Sequence, residues 1–265
     1  MKKLHFTYEM QIEYSKEVAR CNFTIKCIPK NTKRQKIEDY SIKLFPATEY
    51  NSGVDGLRNI QIYGVNEEPH TVFNFIIEGN AVTGLADYEE NAEDEIAMIF
   101  KYPYGLNRAG AAITDFYEKN RPVYDLNVYE KAISLMGCLN RHFKYKSGST
   151  NVNTTAEEAF SQGYGVCQDY AHIFISLLHL AGIPARYVTG LIMGEGASHA
   201  WVEILMDDKW YGLDPTNNKA VSDEHIKIAV GRDAGDCMIN RGIMHGGGLH
   251  TQTIKVRVTE TDGKD

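Results

Sequence analysis

The spacing at which apolar residues recur changes once along the chain, and that change sets what the chain can fold into. From Leu4 to about Gly84 apolar and polar residues alternate in short runs, as in His5-Phe6-Thr7-Tyr8, Cys21 to Ile28, Ile60-Gln61-Ile62-Tyr63 and Val72 to Ile77. Turn formers at Pro29 to Asn31, Asn51 to Gly53, Asn66 to Pro69 and Gly79-Asn80 separate the runs, so this part predicts an antiparallel β-sandwich. Cys21 and Cys27 share a parity and are expected as packed apolar side chains of one strand. Leu85 to Glu95 is acidic and lacks β-branched residues, as suits a connection. Beyond it Ile133, Met136, Leu139 and Phe143 recur every three to four positions, which predicts an amphipathic helix between Val128 and Phe143.

Thr154-Thr155-Ala156-Glu157-Glu158 carries overlapping capping-box signals for a short helix ending near Phe160. Gly163-Tyr164-Gly165 forces a turn. Cys167 to Ala181 is then helix-compatible and apolar along one side, and Gly182 and Pro184 stop it. Strand-like runs follow at Ala185 to Ile192, His199 to Leu205, Lys209 to Leu213 and Thr251 to Thr259, with Gly246 to Gly248 as a flexible turn. The reading is an α+β protein: a β-sandwich domain over residues 1–85 and a second domain over 86–265, in which a helix packs on an antiparallel sheet.

A formal charge of −7 and a pI near 5.7 argue against a nucleic-acid partner, which draws on clustered Lys and Arg. The basic stretch Lys30 to Lys36 is short, is followed by Glu38 and Asp39, and reads as a solvated loop. Leu4 to Glu13 carries His, Glu and Gln where a signal peptide needs an apolar core. No run approaches the ~20 apolar residues that cross a bilayer, so no membrane partner and a soluble, cytoplasmic protein are expected. The cysteines at 21, 27, 138, 167 and 237 are odd in number and widely spaced, which favours reduced thiols, and no C-x-x-C pair invites zinc.

Cys167 falls at the first turn of its helix, where unpaired N–H groups and the positive end of the helix dipole favour a thiolate. Nucleophilic catalysis by such a thiol needs an imidazole, and the imidazole needs a carboxylate or amide to orient it. His199 and Asp214 supply both on one condition. With Met206 pairing to Lys209 across a tight turn, Trp201 faces Asp214 and His199 faces Thr216. Asp214 and His199 then become diagonal neighbours on one sheet face, on the order of 5 to 8 Å apart. A slip of one residue would separate them. Taken singly, His199 has a sufficient explanation in the Ala197-Ser198 turn and Asp214 in the Asp-Pro turn.

Four blocks in order resemble the core of the transglutaminase-like superfamily: Gly165-Val166-Cys167-Gln168-Asp169-Tyr170-Ala171-His172, Gly182 to Gly190, Ser198-His199-Ala200-Trp201-Val202-Glu203, and Asp214-Pro215-Thr216-Asn217. The N-terminal strands resemble the β domain that precedes this core in bacterial members, and His225 to Asp233 and Arg241 to Gly248 are similar to their tails. The resemblance implies a papain/transglutaminase-like core with Cys167, His199 and Asp214 as the catalytic Cys, His and Asp. It implies thioester-mediated acyl transfer on a peptide or carboxamide; proteolysis or amide hydrolysis is favoured slightly over cross-linking to an amine acceptor, because nothing in the sequence guarantees that water is kept from the thioester. Ala234-Gly235 departs from relatives, which place a Tyr there, and puts substrate preference rather than catalysis in doubt.

No cofactor or metal is expected. His172 and His179 share a helix face and read as packing residues, Asp169 as a helix-dipole partner, and Trp201 and Trp210 as core beside the site. Gln162 is a candidate second oxyanion donor, with a solvent-facing role as the plainer alternative. Cys237, His245 and His250 match no standard ligand spacing. Two other functions stay open: a catalytically silent binding or scaffolding protein, and a zinc hydrolase built on His199 and Asp214 that would need another ligand.

Overall fold

In the computed structural model, which describes residues 1–47, 49–91, 97–122 and 125–261, the longest element organises the rest. Strand β1 (Lys2–Ile25) runs for 24 residues. Its buried positions are even-numbered from Leu4 to Ile12 and odd-numbered from Cys21 to Ile25. The change of face follows a bulge between Val18 and Arg20, because one extra residue inverts a period-two pattern. β2 (Gln35–Phe45), β3 (Asn51–Val54), β4 (Ile60–Asn66) and β5 (His70–Thr83) follow. β5 pairs with the first half of β1 and β4 with its second half, both antiparallel, while β2 adds to β5 and β3 to β4. Hydrogen bonds through β1 thus join the two halves of the N-terminal β unit.

Several local expectations change here. Cys21 and Cys27 are both buried, yet β1 ends at Ile25, so Cys27 packs from the loop beyond it. Gly79-Asn80 is not a turn but the interior of β5. An added Cβ on Gly79 would lie 2.3 Å from the Asp39 carbonyl oxygen, and Asn80 Nδ2 donates to the Asp39 carboxylate at 3.0 and 3.1 Å. The glycine serves close strand approach rather than chain reversal. Asn51 to Gly53 likewise lies in β3. Nor is Lys30 to Lys36 a solvated loop. Gln35 is 3% exposed, its Nε2 donates to the Lys227 carbonyl at 2.8 Å, and its Oε1 accepts from the Lys227 N–H at 2.7 Å. Arg34 donates to the carbonyls of Ala86 and Val221, so the stretch clasps one sheet to the other.

The connection expected over Leu85 to Glu95 lies partly outside the described residues, which omit 92–96; its described part holds a short strand, β6 (Tyr88–Glu90). α1 (Ala111–Asn120) had no local signal. Its start is capped from a distance by the Glu157 carboxylate, which accepts from the N–H groups of Gly110, Ala112 and Ile113. α2 (Val128–His142) opens on a capping box of Asn127 and Glu130. After β7 (Lys144–Tyr145), α3 (Ala156–Gln162) opens on the expected box of Thr155 and Glu158 and ends at Gly163 with φ 80°, a left-handed cap that favours glycine. β8 (Tyr164–Gly165) pairs in parallel with β7 and delivers the chain to α4 (Cys167–Leu180).

The second sheet contains β9 (Ala185–Ile192), β11 (His199–Met206), β12 (Lys209–Asp214), β13 (Lys219–Ala220) and β14 (His225–Gly231), in the order β13-β12-β11-β9-β14, with β6 on β12. α4 buries Ile173, Phe174 and Leu177 in the core that also takes Ala200, Val202 and Ile204 of β11. β10 (Gly194–Gly196) leaves this sheet to pair with β16 (His250–Glu260), and β15 (Asn240–Gly246) and β16 both return to β1. Gly246, Gly247 and Gly248 all have positive φ in the turn between them. A division at 85/86 therefore parts β1 from two of its strand partners. One apolar core runs from Leu4 and Phe6 to Leu135 and Phe174. Among the described residues no helix is long and apolar enough to cross a membrane.

Candidate active site

Cys167 is the first residue of α4, half-buried, with its N–H among the first-turn donors that an α-helix leaves without an internal partner. The preceding turn is braced by Asp169, whose Oδ2 accepts from the Val166 N–H at 2.7 Å and from Thr150 Oγ1 at 2.6 Å. This is more than the helix-dipole role expected of Asp169. Gly165 permits the brace, since a Cβ there would stand 2.5 Å from Asp169 Oδ2. Burial raises the Asp169 carboxyl above its ordinary range against these bonds.

The hairpin of β11 and β12 has the register read from the sequence. Met206 pairs with Lys209 and Val202 with Leu213. Asp207 and Asp208 form the two-residue turn with φ of 49° and 56°, the left-handed pair that matches the twist of a hairpin. His199 and Asp214 therefore meet diagonally, and His199 Nε2–H donates to Asp214 Oδ2 at 2.9 Å. Cys167 is near enough to the ring to favour its protonated form, and Nε2 being taken by Asp214 leaves Nδ1 as the nitrogen available to the sulfur. Burial works against charge on His199, but Asp214 and Cys167 together outweigh it and raise the ring from 6.5 to about 9.

Two further residues hold Asp214. Asn217 donates from Nδ2 to Oδ2 at 2.7 Å and from its backbone N–H to Oδ1 at 3.1 Å. His225, at the start of β14, directs Nε2 to Oδ2 at 3.4 Å, while its Nδ1 accepts from the Ser222 N–H. Burial would favour the protonated form of Asp214; the donors from His199, His225 and Asn217 reverse this and keep the carboxyl far below its usual range. The Asn217 contact has a local signal, because a residue three after Asp is where an Asx turn closes. His225 has none, being placed by the pairing of β14 with β9. Trp201 packs over both rings, edge-on to His225 at 5.3 Å and tilted to His199 at 6.3 Å.

His199, Asp214 and His225 bring one ligand atom each within 4.8 Å of one another, the third ligand that a metal reading required. Both Nε2 atoms are, however, turned to the same carboxylate oxygen, so a metal bound there would have to break the hydrogen bonds that fix Asp214. The donor set fits an orienting carboxylate better than a zinc centre.

The other singled-out residues disperse. His172 is wholly buried and held neutral by that burial, which lowers it to about 3, and its Nε2 accepts from the Ala234 N–H at 3.0 Å. His179 bonds the Phe100 carbonyl. Gln162 is exposed at the end of α3. Cys237 lies against the Tyr187 carbonyl, whereas His245 and His250 pair with Arg20 and Tyr14 of β1, so these three do not converge. All five cysteines are free thiols. Trp210 packs on Phe100 and under Arg186, whose guanidinium is 4.1 Å from the indole centroid. Beside it Arg186 and Lys227 bond the buried Glu203 at 2.7 and 3.0 Å, and Lys227 also bonds Glu89. Burial opposes the Glu203 charge, and the two cations nevertheless hold its carboxyl low.

Comparison with known proteins matches residues 119–215 to the transglutaminase-like superfamily core and residues 4–81 to the bacterial transglutaminase-like N-terminal region. An uncharacterised protein of Mycobacterium leprae is 36% identical over 125 residues, 43% of this chain and 44% of that protein, so the match spans less than half of that relative. One from Mycobacterium bovis is 26% identical over 288 aligned positions, covering 90% of this chain and 86% of its own. The crystal structure of a candidate cysteine protease from Cytophaga hutchinsonii shares the fold at a TM-score of 0.83 and 22% identity, covering 100% of this chain and 92% of that one.

Proposed function

The chain belongs to the transglutaminase-like superfamily, and from that premise we propose that it is a cysteine-nucleophile acyl-transfer enzyme acting on peptide or carboxamide bonds. The observation that carries the reading is the buried Asp214 carboxylate, which fixes a His199 ring whose protonation Cys167 also favours. His199 Nδ1 takes the thiol proton and Cys167 Sγ attacks the carbonyl carbon. The oxyanion meets the Cys167 N–H at the helix start. Nδ1–H then protonates the leaving amine as the C–N bond breaks, which leaves an acyl thioester on the sulfur. A ring held protonated to about pH 9 is suited to that step. Water or an amine, deprotonated by His199, resolves the thioester.

Hydrolysis is the favoured outcome, because Cys167 is only half-buried and water has access to the thioester. The substrate is read as a peptide or protein, with an amine as an optional acceptor. Iodoacetamide treatment near neutral pH tests the nucleophile, since Cys167 should be carboxamidomethylated much faster than the other four thiols. Equal labelling of all five would favour a silent binding protein. A mixed peptide library with and without added amine separates peptidase, deamidase and transferase by their products.

A further inference from the structure

A cavity of about 320 Å³ reaches the residues on either side of the catalytic pair without being lined by Cys167 or His199 themselves. Gln168 and Ser198, the sequence neighbours of Cys167 and His199, line it together with Tyr187, whose hydroxyl is within electrostatic reach of the Cys167 sulfur. The facing wall comes from the other sheet: Tyr8 of β1 and Gln252 and Ile254 of β16. A second cavity of about 250 Å³ shares Asn240 and Gln252 with the first and continues along β1 past Ile12, Tyr14 and Phe23 to Met244 and His250. Two cavities in series along a strand suit successive side chains of an extended chain, which advances ~3.3 Å per residue, better than one compact ligand.

The lining limits what can enter. Among the described residues neither cavity is lined by an Asp, Glu, Lys or Arg, although such residues make up 24% of the chain. A charged side chain placed there would lose water and find no counter-charge. Tyr8 is fully buried and its hydroxyl has no hydrogen-bond partner. An unsatisfied buried hydroxyl is costly, and a neutral hydrogen-bonding group on a ligand would relieve it.

We propose that this trough is the acyl-donor subsite and takes an extended, uncharged peptide segment with apolar or aromatic side chains, a neutral polar group among them meeting Tyr8 Oη. The N-terminal sheet then takes part in substrate recognition. The inference rests on Cys167 being the nucleophile. Its test measures kcat/KM on synthetic peptides that differ only in the residues on the acyl side of the scissile bond. Leu or Phe there should exceed Lys or Glu by at least about tenfold. Gln252→Glu, a change at an exposed position common to both cavities, should move the ratio of Lys to Glu peptides about tenfold toward Lys. Tyr8→Phe should narrow the preference for Asn or Ser over apolar residues of similar size. Alkylation of wild-type Cys167 by iodoacetamide, which needs no peptide, reads the nucleophile separately. Selective alkylation together with charge-blind kinetics and a silent Gln252→Glu overturns the trough alone, whereas loss of selective alkylation overturns the reading beneath it.

Discussion

Replacing Asp214 by Asn keeps the shape of the side chain and removes its charge, which isolates what the carboxylate does for His199. In the native site the ring is raised from 6.5 to about 9, a preference for imidazolium of about 3 kcal/mol. Burial acts in the opposite direction and Cys167 remains to offset it, so without the carboxylate the ring should titrate near its ordinary value. At pH 8 about nine-tenths of the native rings are protonated, against a few per cent in the variant, so roughly thirtyfold of rate is lost from protonation alone. Loss of orientation should deepen the defect toward 10³ to 10⁴. The assay is kcat/KM on one peptide from pH 5 to 10.5. The native enzyme should lose activity with an alkaline limb near pH 9, and Asp214→Asn should bring that limb below about pH 7. A variant whose limb stays near pH 9 would refute the claim that Asp214 sets the protonation of His199.

Three further outcomes follow from the same contacts. Stability should depend on alkaline pH through His199: its folded value lies above its unfolded one, so the contribution is complete below pH 6.5 and is lost as pH rises through about 9. Urea midpoints at pH 6 and 10 should differ more in the native protein than in His199→Ala, and parallel declines would contradict this. Gly165→Ala should slow alkylation of Cys167, because the new methyl meets the Asp169 carboxylate at 2.5 Å and displaces the turn; unchanged alkylation kinetics would count against the brace. Lys227→Met should destabilise the protein by about 3 kcal/mol in chemical denaturation by removing one of the two cations, Lys227 and Arg186, that the buried Glu203 and Glu89 share, and a neutral effect would show that the cluster is solvated.

What was legible in the sequence was local. The helix bearing Cys167 could be bounded because a Gly-rich turn precedes it and Gly182 and Pro184 follow. The hairpin register could be read because Met206 and Lys209 flank two residues able to adopt positive φ, and that register places His199 beside Asp214. What was missed depends on partners distant in sequence. His5 to Tyr8 and Cys21 to Ile25 lie in one strand, but the bulge inverts their parity and hides it. Gly79 looked like a turn because nothing nearby announces the approach of Asp39. The start of α1 depends on Glu157, and His225 reaches Asp214 only through the pairing of β14 with β9. Lys30 to Lys36 looked solvated because the backbone of Lys227, which Gln35 binds, is far along the chain.

The most direct test is to catch the thioester. Acid-quenching the protein during turnover of a peptide substrate, followed by intact and peptide-level mass spectrometry, should show the acyl mass on Cys167. The adduct should be absent in Cys167→Ala, and turnover should be lost with it. Turnover that persists in Cys167→Ala, or an acyl group mapped to another residue, would contradict the account.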